Sequence, residues 1–151
     1  MDRVAIALGS NVGDRRAHLA YAVSALRGLL TNLSVSRYYD TVPVGASGPQ
    51  AMYLNAAVVG ETTMTARELL DALLAIEHAR GRERPYVNAP RTLDLDLILF
   101  GDVVLEEEGL VVPHPRFRGR RFVLEPLAAV APELRDPVSG KTVGDLLSLV
   151  S

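Results

Sequence analysis

An α+β domain, an antiparallel β-sheet with helices packed on it, is the fold class that this chain predicts. Two segments repeat apolar residues at helical spacing, and several shorter ones alternate at strand spacing. Their order along the chain is strand, helix, strand, strand, helix, strand, followed by a C-terminal addition. At 151 residues the chain fits one domain spanning 1–151, with room for a core that needs no covalent staples.

Each element has its own warrant. Residues 3–8 read as a short buried strand that ends in the turn Gly9-Ser10-Asn11-Val12-Gly13. Asp14 can cap a helix over 14–30, whose apolar stripe is Leu19, Ala22, Val23, Leu26, Leu29 and Leu30. Residues 33–40 read as a second strand, with Leu33, Val35, Arg37 and Tyr39 on one face. Residues 43–50 hold Gly and Pro without periodicity and read as a loop. A third strand over 53–60 puts Leu54, Ala56 and Val58 on one face. Thr65 and Glu68 form a capping box ahead of a second helix, with Ala66, Leu69, Leu70, Leu73 and Ile76 inward and Gly81 at its end.

The segment 82–92 is polar and irregular and reads as a lid, and an acid-bearing strand follows. Residues 103–105 and 111–112 predict a small hairpin, closed off by Pro113-His114-Pro115. Short helices are predicted over 121–130, with Leu124 and Leu127 inward, and over 143–150. This order is the ferredoxin-like βαββαβ arrangement, with helices on one face of the sheet and a hairpin and helix as C-terminal extension.

Composition narrows the chemistry. Apolar residues make up 48% of the chain and the formal net charge is −2, so no global field draws it to nucleic acid. The absence of cysteine excludes disulfides, thiolate metal sites and cysteine nucleophiles. No charged-then-apolar leader opens the given sequence and no apolar run has bilayer-spanning length, so the expected location is the cytoplasm, with no membrane partner. Lys141 is the sole lysine, and the arginines gather as Arg80, Arg82, Arg84 and Arg91 and as Arg116, Arg118, Arg120 and Arg121. Two arginine-rich segments flanking an acidic strand suit a polyanion that already carries metal.

The most informative stretch is Ala89-Pro90-Arg91-Thr92-Leu93-Asp94-Leu95-Asp96-Leu97-Ile98-Leu99-Phe100. Residues two apart on a strand share a face, so Asp94 and Asp96 project together, roughly 6–7 Å apart. Leu93, Leu95, Leu97 and Leu99 are left for the opposite face. Adjacent carboxylates repel unless a proton or cation lies between them, and hard oxygen ligands of this kind suit Mg²⁺ with water and phosphate filling its shell. A pair of acids neutralised by nearby arginines at a sheet end is the structural alternative. Asp-x-Asp also occurs in sugar-nucleotide transferases and metal nucleases, although a nuclease calls for a stronger positive charge. Neither Gly-x-Gly-x-x-Gly nor a Gly-Lys-Ser/Thr phosphate loop is present, so any nucleotide must be held by side chains and metal.

Further motifs carry a resemblance. Ala7-Leu8-Gly9-Ser10-Asn11, Tyr53-Leu54-Asn55-Ala56, Ile76-Glu77, Gly81-Arg82, Pro90-Arg91-Thr92-Leu93-Asp94-Leu95-Asp96, Val112-Pro113-His114-Pro115 and Phe122-Val123-Leu124-Glu125-Pro126-Leu127 occur in this order, ending at Ala131-Pro132. The chain thereby resembles the 6-hydroxymethyl-7,8-dihydropterin pyrophosphokinase family of the folate pathway over almost its whole length. The resemblance implies transfer of the terminal pyrophosphoryl group of ATP to the hydroxymethyl oxygen of the dihydropterin, with AMP leaving. It implies two Mg²⁺ ions on Asp94 and Asp96, with Arg82 and Arg91 also catalytic. It implies ATP contacts from Arg82, Arg84, Arg91, Leu97, His114 and Arg120.

For the pterin, the resemblance implies backbone contacts around Thr41, Val42 and Val44. Tyr53 and Phe122 fit as stacking faces, and Asn55 offers the donor and acceptor that an amino-pyrimidinone edge needs. Small-molecule substrates and a monomer are expected. Some family members carry a basic residue and a tryptophan just before the Pro-Arg-Thr block, where this chain has Val87 and Asn88, and Pro115 stands where some have tyrosine. A nucleotide-sensing binding module is the alternative function, and it would need no paired acids facing arginines.

Overall fold

The structure is a computed structural model, described here for residues 1–41, 52–81 and 92–150. Strand β1 (Asp2–Ser10) leads into helix α1 (Arg15–Arg27), followed by β2 (Thr31–Val35), β3 (Tyr39–Thr41) and β4 (Tyr53–Thr62). Helix α2 (Ala66–Ala79) precedes β5 (Asp94–Phe100). The chain continues through β6 (Leu105–Glu107), β7 (Leu110–Val112), a 3₁₀ turn at Phe117–Gly119, α3 (Arg121–Val130) and α4 (Val143–Leu149). The main sheet runs β2-β4-β1-β5 with every pairing antiparallel, and β3 also pairs with β4. β6 and β7 form the separate hairpin, with Leu105 opposite Val112.

Local signals set the helix starts. The Asp14 carboxylate accepts from Ala17 N at 3.1 Å. Thr65 Oγ1 accepts from Glu68 N at 3.1 Å, and Glu68 returns the bond to Thr65 N at 2.9 Å. These side chains satisfy amide groups that the first helical turn leaves without partners. At its far end α2 is pinned to α1, where Arg80 Nε donates to His18 Nδ1 at 2.9 Å and its guanidinium lies 4.8 Å from the Tyr21 ring centre. Arg80 thus packs on α1 and drops out of the expected polyanion group.

Helices cover both faces of the sheet, where the sequence predicted one. Val4, Ile6, Leu8, Leu54, Ala56, Val58, Leu95 and Leu97 bury against Leu19 and Leu26 of α1 and Leu69 and Leu73 of α2. On the other face Ala5, Ala57, Val59, Ile98 and Leu99 meet Phe117, Val123, Leu124 and Leu127, with Val143 and Leu146 of α4 behind. The C-terminal elements are the lid of a second core.

Two irregularities rearrange the predicted strand faces. The single strand expected over 33–40 is two strands. Val35 stands opposite Val58, but Tyr39 stands opposite Asn55, so one extra residue lies between them. Ser36 bridges the break, its N donating to Ala57 O and its Oγ accepting from Ala57 N, each at 2.9 Å. The slip leaves Val35 with the α1 and α2 core and moves Tyr39 to the opposite face. In β5, Ile6 pairs with Leu97 but Ala5 pairs with Leu99. Ile98 is the extra residue, and Leu99 therefore joins the α3 core, not the face predicted for it.

Behind α3, the carboxylate of Asp136 is fully buried and accepts from Arg118 Nη2 at 2.9 Å, Ser139 Oγ at 2.7 Å and Val138 N at 3.0 Å, with Arg118 Nε as a fourth donor. Burial alone would raise the pKa of this acid. The hydrogen bonds from Arg118, Ser139 and Val138 outweigh it and hold the group far below the ordinary carboxylate range. A carboxyl depressed on folding contributes stability above its unfolded pKa, about 3.9, and loses it as pH falls through the folded value. Asp136→Asn is expected to cost about 2–3 kcal/mol at pH 7, less than a fully buried pair because Arg118 is 30% exposed. Urea unfolding across pH should show the gap to wild type narrowing below about pH 4; a gap that stays constant would contradict the assigned charge.

Candidate active site

Strand register assembles the site. Asp94 stands opposite Gly9, Gly9 opposite Asn55, and Asn55 opposite Tyr39, so these four residues form one row across the sheet. Asp96, Ala7 and Ala57 form the next row. Directly opposed residues share a face, so both acids project on the α3 side, as the alternation predicted. Asp94 and Asn55 lie two strand spacings apart, roughly 10 Å. Between them the floor is Gly9 and Ala7.

That floor has to be small. A Cβ added at Gly9 would lie 3.1 Å from Asn55 Nδ2 and 3.7 Å from Tyr53 Cδ1. Asn55 is buried, and its Oδ1 accepts from Thr41 Oγ1 in a short hydrogen bond that leaves the amide nitrogen turned toward Gly9. The bond holds β3 to β4 and orients the amide plane. Phe122, in the first turn of α3, is half-buried against the second core, and the Arg120 guanidinium lies 5.5 Å from its ring centre. Tyr53 is half-buried at the start of β4.

Beyond Asp96 the sheet ends, because β5 is its edge strand. A cleft of about 250 Å³ runs along this edge, lined by Leu70 of α2, Leu95, Asp96 and Leu97 of β5, Gly109, Leu110 and Val111 of the hairpin, and His114 and Pro115. Its lining is mostly apolar and includes Asp96 and His114. The backbone N–H of His114 donates to Ile98 O at 2.9 Å, and its ring Nδ1 accepts from Arg116 N at 3.1 Å. Burial lowers its pKa below 6.5. Asp96 opposes that shift, while Arg120 and Arg116 reinforce it. The imidazole is therefore neutral at pH 7 and sits among one acid and two guanidinium groups.

The arginine clusters divide. Arg118 is held by Asp136, and Arg121 pairs with Glu125 at 2.8 Å on the exposed side of α3. Arg120, not Arg121, stands beside Phe122. Arg82, Arg84 and Arg91, together with Val42 and Val44, lie outside the described residues, as does the predicted lid apart from Thr92.

One residue that the sequence named only within the Ile76-Glu77 motif, with no role assigned, is placed beside the acids. Glu77, near the end of α2, is 4% exposed, and its Oε2 accepts from Leu95 N at 2.7 Å. An acid four residues after Leu73 falls on the buried stripe of α2, and that position is the signal that could have singled it out. Among the described residues no cluster of three His, Asp or Glu side chains could close around an ion. Two carboxylates without a third protein ligand fit a cation whose remaining sites go to water and phosphate.

A family model for 7,8-dihydro-6-hydroxymethylpterin-pyrophosphokinase matches residues 5–132. The chain belongs to this family. Relatives named 2-amino-4-hydroxy-6-hydroxymethyldihydropteridine pyrophosphokinase support the assignment. That of Bacillus subtilis is 44% identical over 91% of this chain and 83% of its own length. That of Synechocystis is 42% identical over 96% and 74%, and that of Pseudomonas aeruginosa 40% identical over 98% and 91%. A crystal structure of Plasmodium falciparum HPPK-DHPS matches 98% of this chain at a TM-score of 0.75 and 15% identity; the chain spans 44% of that longer protein. This last likeness shows the fold alone. As a family member the chain is a pyrophosphokinase, with ATP as substrate.

The charge arrangement around His114 predicts a specific NMR titration. Its imidazole resonances should titrate below pH 6.5. Asp96→Asn should push the midpoint lower still, and Arg120→Met should raise it. A midpoint insensitive to both substitutions would show that neither group faces the ring.

Proposed function

We propose that the Asp94 and Asp96 end of the sheet transfers the terminal pyrophosphoryl group of ATP to the hydroxymethyl oxygen of 6-hydroxymethyl-7,8-dihydropterin, releasing AMP. The observation that carries this reading is the row Asp94-Gly9-Asn55. It puts a polar edge reader and a carboxylate pair on one face, roughly 10 Å apart across a flat floor.

The division of labour follows from residue chemistry. Asn55, aligned by Thr41, offers its amide to the pterin edge, and the Gly9 floor admits the ring. Tyr53 and Phe122 stack on its two faces, and backbone groups around Val42 and Val44 complete the edge contacts. The hydroxymethyl group then points along the row toward Asp94. The apolar cleft beside Leu97 takes the adenosine end of ATP, and His114 and Arg120 face its phosphates. Arg82, Arg84 and Arg91 hold the polyphosphate, with Arg82 and Arg91 on the transferring group.

In the transfer the substrate oxygen bonds to the β-phosphorus and the bridge to the α-phosphate breaks. AMP leaves with the bridging oxygen, and the hydroxyl proton is released. Positioning and electrostatics carry most of such a reaction. Asp94 and Asp96 would hold two Mg²⁺ ions, which when bound neutralise polyphosphate charge and acidify the attacking alcohol.

The proposal extends to architecture. The chain order and the sheet order β2-β4-β1-β5 support a ferredoxin-like βαββαβ core, with the hairpin, α3 and α4 as the C-terminal extension. Both cores share one sheet, which supports a single domain, and the proposal takes it as a monomer working on small molecules without nucleic acid. Among the described residues no helix is long and apolar enough to cross a membrane, which is compatible with the cytoplasmic location proposed here.

The decisive assay follows AMP formation from ATP, Mg²⁺ and the dihydropterin, with a no-pterin control; pterin-independent turnover, or none, would sink the reading. Asp94→Ala and Asp96→Ala should each lower kcat by about 10³-fold while thermal unfolding stays near wild type, since metal ions contribute several kcal/mol to such transfers. Asn55→Ala should weaken dihydropterin binding by about tenfold or more and change ATP binding by less than about twofold, as read by calorimetry. Equal losses for both ligands would contradict the division of the pocket.

A further inference from the structure

We infer that Glu77 is a positioning residue for the Asp94 and Asp96 pair, a role that rests on reading those two acids as cation ligands. β5 is the edge strand, bonded on one flank to β1. In an antiparallel ladder successive N–H groups point to opposite flanks. Asp94 and Asp96 are in register with Gly9 and Ala7, while the N–H of Leu95 is taken by Glu77 Oε2 of α2 at 2.7 Å. The carboxylate of Glu77 therefore grips the strand from outside at the peptide midway between the two acids.

The geometry makes that bond consequential. Rotating the Leu95 backbone swings the Asp94 and Asp96 side chains relative to each other, because both hang from the units on either side of it. Their spacing is what a cation shared with polyphosphate oxygens depends on. β1 fixes the inner flank of this segment and Glu77 fixes the outer one, where an edge strand ordinarily presents unpaired groups. The donor–acceptor distance is that of a strong charge-assisted bond. Burying a carboxylate carries a desolvation cost, which a charge-assisted bond to the Leu95 amide helps to offset.

Binding of Mn²⁺, as a stand-in for Mg²⁺, to the full-length protein in the presence of α,β-methylene-ATP tests the inference without turnover. Glu77→Ala is expected to weaken Mn²⁺ by about 10-fold to 100-fold, the loss typical of partners that orient metal ligands. Glu77→Gln keeps an acceptor oxygen in place and should stay within about threefold of wild type on the same scale. Near-ultraviolet circular dichroism and thermal unfolding report the fold independently. If Glu77→Ala does not fold, Glu77→Asp, whose acceptor is withdrawn by about 1.5 Å, decides in its place and should also weaken Mn²⁺. Wild-type Mn²⁺ affinity in the folded Ala or Asp variant overturns the inference, and so does a Gln variant as weak as Ala. Asp96→Ala separates the two readings: undiminished Mn²⁺ binding there removes the cation site itself, whatever Glu77 does.

Discussion

The site depends on one constraint, that from Ala5 onward β1 shows the α3 side of the sheet nothing larger than a methyl group. Ala5, Ala7 and Gly9 occupy successive positions on that face. At the Ala5 end the shallow surface lets α3 descend until Val123, Leu124 and Leu127 bury against Ala57, Val59 and Leu99. At the Gly9 end the same shallowness leaves a floor between the Asn55 amide and Asp94, where a Cβ would come within 3.1 Å of the amide nitrogen. One face thus passes from a packed core to the polar row Asp94-Gly9-Asn55 within five residues. The hydrophobic effect closes the first part, and the polar rows of the second cannot be closed by apolar packing without stranding Asn55 and the acids.

Polar side chains act as braces around that row. Ser36 carries the sheet across the break between β2 and β3, Thr41 orients Asn55, and Asp136 takes both arms of Arg118 behind the 3₁₀ turn. The last of these also sorts the arginines. Arg118 and Arg121 are committed to Asp136 and Glu125, which leaves Arg116 and Arg120 as the members of that cluster whose charge reaches His114. A cluster that looks uniform in sequence is two structural residues and two site-facing ones.

Much of this was legible in the sequence where the governing interaction is local. Asp14, the Thr65 and Glu68 box, and the apolar spacing of α3 act within a turn of helix, and the structure places them where the pattern put them. Asp94 and Asp96 were legible because strand alternation is local too. The misassigned faces of Tyr39 and Leu99 come from single-residue slips, whose cause lies in the neighbouring strand. Glu77 belongs to the same class. The amide it accepts from lies 18 residues away, on an element that becomes an edge only once the sheet has assembled.

On the proposed reading, the charge pattern lets a chain with net charge −2 hold a triphosphate. Its acids and guanidinium groups are not averaged over the surface at this end of the sheet. They alternate across it, from Asp96 through a neutral His114 to Arg120 and Arg116. Such an array repels a bare polyanion at the acids and a bare cation at the guanidinium groups, and it is matched when the two arrive together. Burial lowers the pKa of His114, which limits the positive charge beside Asp96. On the proposed reading, selectivity for the cation-loaded nucleotide follows from the spacing of the acids along β5 and from the α3 approach that the small side chains of β1 permit.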